Sequence, residues 1–285
     1  MRDLKDNIHL CSMNTATLGF QHNIFKTADA IARHGFGGIA PWIQDMNEQT
    51  ISTVAQHIKN TGLQLSGYCR SPYIPAETPE HFRKNINANK KCIDDAVALG
   101  APVFIFVVGS IPHASGHDIS QSRTQVQDGI AELAQYAQHM PIQLGLEPLH
   151  PMYAGDRACL NTLKQAHDMC RAIEPTPSAP PKLSIALDVY HCWWDADLYN
   201  QIESIGADNR LCAFHVCDWL APTVDFLMDR GMMGDGVINI PKIRQAVENA
   251  GYNRLVEVEI FSHNWGKQDI EHTLKTCTDR LQTVC

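Results

Sequence analysis

The chain is predicted to be a single-domain α/β protein, a (β/α)8 or TIM barrel spanning residues 1–285. Three observations carry this: strand-length apolar runs recur at even intervals, helical patterns lie between them, and the 285 residues suit a fold that needs roughly 250. The first three runs are IHLCSM (8–13), FGGIAPW (36–42) and LQLSGYC (63–69). A helical stretch over 79–99 follows, with Phe82, Ile86, Ile93 and Val97 on one face and Gly100 as a stop. PVFIFVV (102–108) is the fourth run, and the helix over 120–139 buries Val126, Ile130, Leu133 and Ala137. IQLGLE (142–147) leads to a helix over 159–173 with Leu163, Ala166, Cys170 and Ile173 inside. EPTPSAPP (174–181) is short and proline-rich, a stiff connector within one domain. LSIALD (183–188) and LCAFHV (211–216) are the sixth and seventh runs. NIPKIRQAVENAG has a proline in its opening turn, Ile243, Val247 and Ala250 inside, and Gly251 at its end. RLVEVEIF (254–261) is the eighth run. Several runs are apolar nearly throughout, as parallel strands covered on both faces are. The alternative, an open doubly wound sheet, announces a nucleotide with a glycine-rich first turn. NTATLGF, after the first strand, has none, and the GDG at 234–236 follows a late strand.

Composition narrows the function. The formal net charge is −8, and no basic stripe of the kind that binds a phosphate backbone is visible. Nucleic acid is therefore not an expected partner. No apolar run approaches the ~18 residues of a membrane span, and MRDLKDNIHL does not have the form of a signal peptide. The ten cysteines show no CxxC spacing, so they are expected as reduced core thiols of a cytoplasmic protein.

Barrels of this kind do chemistry at the C-terminal ends of their strands. The fifth strand ends in Glu147, the sixth in Asp188, the seventh carries His215 and Asp218, and the eighth carries Glu257 and Glu259. Charge buried at strand ends is costly without compensation. Three crowded carboxylates repel, and one must stay protonated unless a cation joins them. The expected metal ligands are Glu147, Asp188, His215 and Glu259. Glu257 shares a face with Glu259 by the period of two; Glu259 is chosen because it lies nearer the rim. Hard oxygen donors plus one imidazole suit Mn²⁺, with Mg²⁺, Co²⁺ or Zn²⁺ compatible. Trp193, Trp194 and Trp219 either wall the pocket, stacking on the apolar face of a sugar, or cover helices at its rim.

LEPLHP, LDVYH, FHVCDW, DRGMMGDGVI and VEVEIF together resemble the xylose isomerase-like barrels. The closer resemblance is to the sugar phosphate isomerase/epimerase group, with its ketose 3-epimerases, inosose dehydratase and hydroxypyruvate isomerase. It covers the whole chain in architecture and is most specific over 144–262. It implies the same four metal ligands, with Glu147 and Glu259 also moving protons. It further implies substrate contacts from His191, three residues after Asp188, and from Arg230. Two departures stand out. The segment between His215 and Arg230 is longer than in the epimerases. PLHPMYAGDR also replaces a stretch that carries a second glutamate there, leaving His150, Tyr153 and Arg157 to fill that space. Trp194 and Asp218 complete the expected substrate-facing set.

The function expected from this is a divalent-metal isomerase or epimerase acting beside the carbonyl of a small sugar or keto-polyol through an enediolate. The same intermediate could expel a leaving group or CO₂, as a dehydratase, lyase or decarboxylase does. An endonuclease IV-type repair enzyme shares the barrel but needs a larger zinc set and a basic surface; the early strand ends offer only His9 and His113. A carbohydrate-binding barrel without catalysis would hold no metal. A homodimer or homotetramer is compatible with the helix-rich exterior.

Overall fold

We describe a computed structural model of the chain covering residues 1–46, 50–112 and 118–285; His113 lies outside the described residues. The barrel strands are β1 (Cys11–Asn14), β2 (Gly38–Ala40), β3 (Gln64–Leu65), β4 (Val103–Phe106), β5 (Gln143–Leu146), β6 (Leu183–Asp188), β7 (Leu211–Val216) and β10 (Val256–Val258). A small antiparallel pair, β8 (Asp218–Trp219) and β9 (Arg230–Gly231), sits between the last two. The helices among the described residues are α1 (Ile24–Arg33), α2 (Ile51–Thr61), α3 (Pro79–Leu99), α4 (Ile119–Tyr136), α5 (Leu163–Ile173), α6 (Val189–Cys192), α7 (Leu198–Ala207), α8 (Ile240–Asn249) and α9 (Ile270–Val284).

The sheet order is β3-β2-β1-β10-β7-β6-β5-β4, every pair parallel. The seam between β3 and β4 closes through the irregular chain beyond β3. Tyr68 N donates to Val103 O at 2.9 Å, Ile105 N to Tyr68 O at 3.0 Å and Ser71 N to Ile105 O at 3.0 Å. The predicted barrel is thus present, and its third strand is ladder-bonded over a shorter span than the apolar run suggested. The first, second and eighth runs are likewise trimmed: 8–10 forms a 3-10 turn, and regular pairing covers 38–40 and 256–258. Apolarity reports burial, and the runs include buried turns on either side of each ladder.

Helix boundaries follow their punctuation. Thr78 caps α3 through its side chain, Pro79 occupies the first turn, and Gly100 ends it at φ +89°, a backbone region that favours glycine. The helix expected over 159–173 begins at 163, because the Thr162 side chain accepts from Gln165 N and sets its start. The one expected over 120–139 runs 119–136, opened by an Asp118–Gln121 capping box.

Side chains alternate between the two faces of the barrel wall. On β4, Phe104 and Phe106 pack outward against the helices, while Val103 and Ile105 pack inward with Ala186, Cys212 and Ala213. Gly145 belongs to this inner layer: a Cβ there would lie 2.9 Å from Cys212 Sγ and 3.0 Å from Val103 Cγ1. Two residues further along the same faces stand Glu147, Asp188 and His215. Small side chains fill the lower barrel, and charged ones crown it. All ten cysteines are free, nine of them buried, as expected of core thiols. No described helix is long and apolar enough to cross a membrane.

Candidate metal centre

Glu147 follows the last residue of β5, Asp188 ends β6, His215 is the penultimate residue of β7, and Glu259 follows β10. Each of the four offers a ligand atom within 4.8 Å of the others, and all four are buried. His215 Nδ1 lies 3.1 Å from Glu147 Oε1 and 3.6 Å from Glu259 Oε2. The structure therefore brings together the four residues picked out from the strand ends.

Arg230 joins them despite the long segment before it. That segment folds back as β8 and β9, and places Arg230 Nη1 2.8 Å from Asp188 Oδ2 and 3.1 Å from Glu259 Oε2. The guanidinium lies over the Tyr190 and Phe261 rings. Its Nη2 is 3.1 Å from His191 Nε2. His150 N–H points to His191 Nδ1 at 3.2 Å, so both ring nitrogens face N–H donors, with Asp188 Oδ2 3.7 Å from Nε2. Burial holds His191 neutral, its pKa pushed down to about 3.

The electrostatics are those of a crowded acidic pocket. Burial, then the Glu259 charge, pushes Glu147 up to about 7. Burial would raise Glu259 too, but His215 and Arg230 outweigh it and hold that carboxyl at about 2. Burial disfavours charge on His215, yet Glu257 and Glu259 raise its pKa well above the ordinary value.

An aromatic wall stands beside the cluster. The Trp219 ring stacks on His150 at 5.0 Å and lies against Tyr190, Trp193 and Phe226. Trp194 is at the rim, its indole N–H donating to His191 O at 2.9 Å and its ring edge-on to His150. Tyr153 and Tyr190 both donate hydroxyl hydrogen bonds to Phe226 O, at 2.5 and 2.9 Å, which straps the 220–229 loop over this wall. Arg157 sits further out, over the Tyr153 ring.

Asp218 is placed differently from expectation. Its oxygens accept from the backbone N–H groups of Trp219, Gly234 and Ile238, so the carboxylate is spent on shaping the 219–238 loop. His9 lines a cavity at the opposite end of the barrel, with Ser66, Arg254 and Glu257.

The early strands contribute more than their ends suggested. Asn14, the last residue of β1, donates from Nδ2 to Glu257 Oε1 at 2.9 Å and to Glu259 Oε1 at 3.0 Å. Trp42 Nε1 donates to Asn14 Oδ1 at 2.6 Å. Ser12 and Ser66 donate to Glu257 Oε2 at 3.4 and 2.7 Å. The alternation Ser12–Met13–Asn14 was the one available signal, two polar residues on the inward face of a buried strand.

A family model described as xylose isomerase-like TIM barrel matches residues 28–280. A Bacillus velezensis protein named inosose isomerase is 21% identical over 287 aligned positions, covering 96% of each chain. Among solved structures, a protein from Sinorhizobium meliloti 1021 is 40% identical, with a TM-score of 0.93 over 98% of this chain and 99% of its own. The IolI protein, solved with a bound zinc atom, is 17% identical, with a TM-score of 0.81 over 96% of this chain and 97% of its own.

Proposed function

The chain belongs to the xylose isomerase-like TIM barrel family, and from that premise we propose that it is a divalent-metal-dependent isomerase or epimerase of a small sugar or keto-polyol. The observation that carries the reading is the buried Glu147–Asp188–His215–Glu259 cluster. Its donor set fits a metal. Four buried carboxylates, counting Glu257, have His215 and Arg230 as their cationic partners among the described residues, so the pocket is short of positive charge. Three hard oxygen donors and one imidazole suit Mn²⁺, and Mg²⁺, Co²⁺ and Zn²⁺ are compatible. The zinc in IolI supports a cation in this fold, and the relatives named inosose isomerase support a keto-polyol substrate.

When bound, the cation would supply positive charge for the enediolate oxygens and a fixed point for two adjacent substrate oxygens. The protein groups do the rest. Glu147 and Glu259 reach in from β5 and β10, so a substrate between them meets a carboxylate on each side. One removes the proton beside the carbonyl, and the other can return one to the opposite face. The His191 imidazole and the Arg230 guanidinium bind substrate oxygens and orient them. Trp219, Trp194 and His150 cover the apolar face of the ring and keep water out.

The test is to strip the protein with chelator, restore one metal at a time, and incubate it in D₂O with inososes and ketoses. The expected outcome is one metal per chain and metal-dependent deuterium uptake at the carbon next to the carbonyl, lost in Glu259→Gln. A protein that binds no divalent metal would overturn the reading. Metal binding with elimination products would move the reaction to the lyase class.

A further inference from the structure

We propose that Glu257 is a positioning residue for the metal centre: it holds the His215 ring through Nε2, so that Nδ1 faces Glu147, Asp188 and Glu259. This rests on the metal reading of the cluster. The two ring nitrogens of His215 are served by different carboxylates. Nδ1 looks up to Glu147 Oε1 at 3.1 Å and Glu259 Oε2 at 3.6 Å, while Nε2 looks down to Glu257 Oε1 at 3.5 Å. A ligating imidazole needs its other N–H fixed by an acceptor, because that fixes both tautomer and ring plane. Glu257 Oε1, 3.5 Å from Nε2, is that acceptor.

Glu257 is itself clamped by groups that can only help it accept. Ser66 Oγ and Ser12 Oγ both reach Oε2, and Asn14 Nδ2 reaches Oε1. The orientation of the Asn14 amide is decided by Trp42. An indole N–H only donates, and it lies 2.6 Å from Asn14 Oδ1, so the amide nitrogen must point to the two glutamates. A relay therefore runs from Trp42 through Asn14 and Glu257 to His215, starting in the first half of the barrel and ending at a ligand in the second. A carboxylate in a barrel core is costly to bury, and a merely structural role would be met by an apolar side chain.

Glu257 and Ser66 line a cavity of about 550 Å³ at the barrel end away from the metal centre. Substitution at either residue therefore opens onto existing space and not into solid packing.

The experiment is calorimetric titration of Mn²⁺ into chelator-stripped full-length wild type, Glu257→Gln and Ser66→Ala, with Co²⁺ absorption spectra and the Tm of each metal-free protein. Glu257→Gln is expected to weaken Mn²⁺ binding about 10–100-fold and to shift the Co²⁺ bands. Ser66→Ala should weaken binding a few-fold, with its metal-free Tm near that of wild type. In the Zn²⁺-loaded wild type, ring ¹⁵N shifts should show the His215 proton on Nε2. Wild type that binds Mn²⁺ beside a Glu257→Gln that binds it equally well, with the same Co²⁺ spectrum, overturns this inference alone. So does a ring bound to Zn²⁺ through Nε2. Wild type that binds neither Mn²⁺ nor Co²⁺ overturns the metal reading and this inference with it. If Glu257→Gln fails to fold, Ser66→Ala carries the comparison, and unchanged Mn²⁺ affinity there overturns the inference.

Discussion

Asn14 is a neutral residue with an electrostatic task. It is the donor shared by two carboxylates two residues apart, Glu257 on β10 and Glu259 just beyond it. Asn14→Ala would leave both without it, at a cost of about 1–3 kcal/mol. Urea unfolding of the metal-free protein measures this, and an unchanged midpoint would show that the shared donor contributes nothing. The four cluster residues were legible in the sequence because charge ending an apolar strand is conspicuous. Asn14, Ser12, Ser66 and Trp42 were not, because neutral polar residues and a tryptophan are ordinary in strands. Only closure of the barrel shows that Asn14 meets Glu257 across 243 positions of chain. Asp218 differs: its sequence position matched the site residues, and both its oxygens accept from backbone N–H groups of the 219–238 loop.

Helix-to-helix attachment outside the barrel depends on a few such ties. Asp208, capping the end of α7, accepts from His167 Nε2 at 2.8 Å and Arg171 Nε at 2.7 Å, both on α5. Its carboxyl is held at about 2 by the Arg171 hydrogen bond, with His167 adding to it against burial. The folded pKa lies below the unfolded value near 3.9, so the unfolded chain takes up the proton first on acidification. The stabilisation is full above about pH 4 and fades as pH falls toward 2. Asp208→Asn is expected to cost about 1 kcal/mol at pH 7, discounted for its partial exposure, and much less near pH 2. Thermal melts of both proteins across that range check the sign. The 220–229 loop hangs on a similar tie, the two hydroxyls on Phe226 O. Tyr153→Phe with Tyr190→Phe should speed proteolysis within the loop and raise KM; an unchanged cleavage rate would show the loop held by its rings alone. The loop's course was not readable in advance, since β8 and β9 are two residues each. α3, in contrast, was readable to the residue because Thr78, Pro79 and Gly100 mark its ends.

At the scale of the molecule, the cluster joins β5, β6, β7 and the end of β10, so a ligand held there stabilises the barrel as a whole. Mn²⁺ at 100 times its Kd should add about 2.7 kcal/mol. That corresponds to a rise in Tm of several degrees, and Asp188→Asn should abolish most of it; equal rises in both proteins would place the cation elsewhere. The barrel itself was legible from the spacing of eight apolar runs, but its seam was not, because β3 hands over to β4 through irregular backbone. The position of β10 has a consequence in time. Among the described strands it is the last to be made, it pairs with both β1 and β7, and it brings Glu257 and Glu259 with it. Before it is in place, only three of the four cluster residues are present, and the acidic pocket is open along one side. On the proposed metal reading, the cation site is whole only when this strand slots between the first and the seventh.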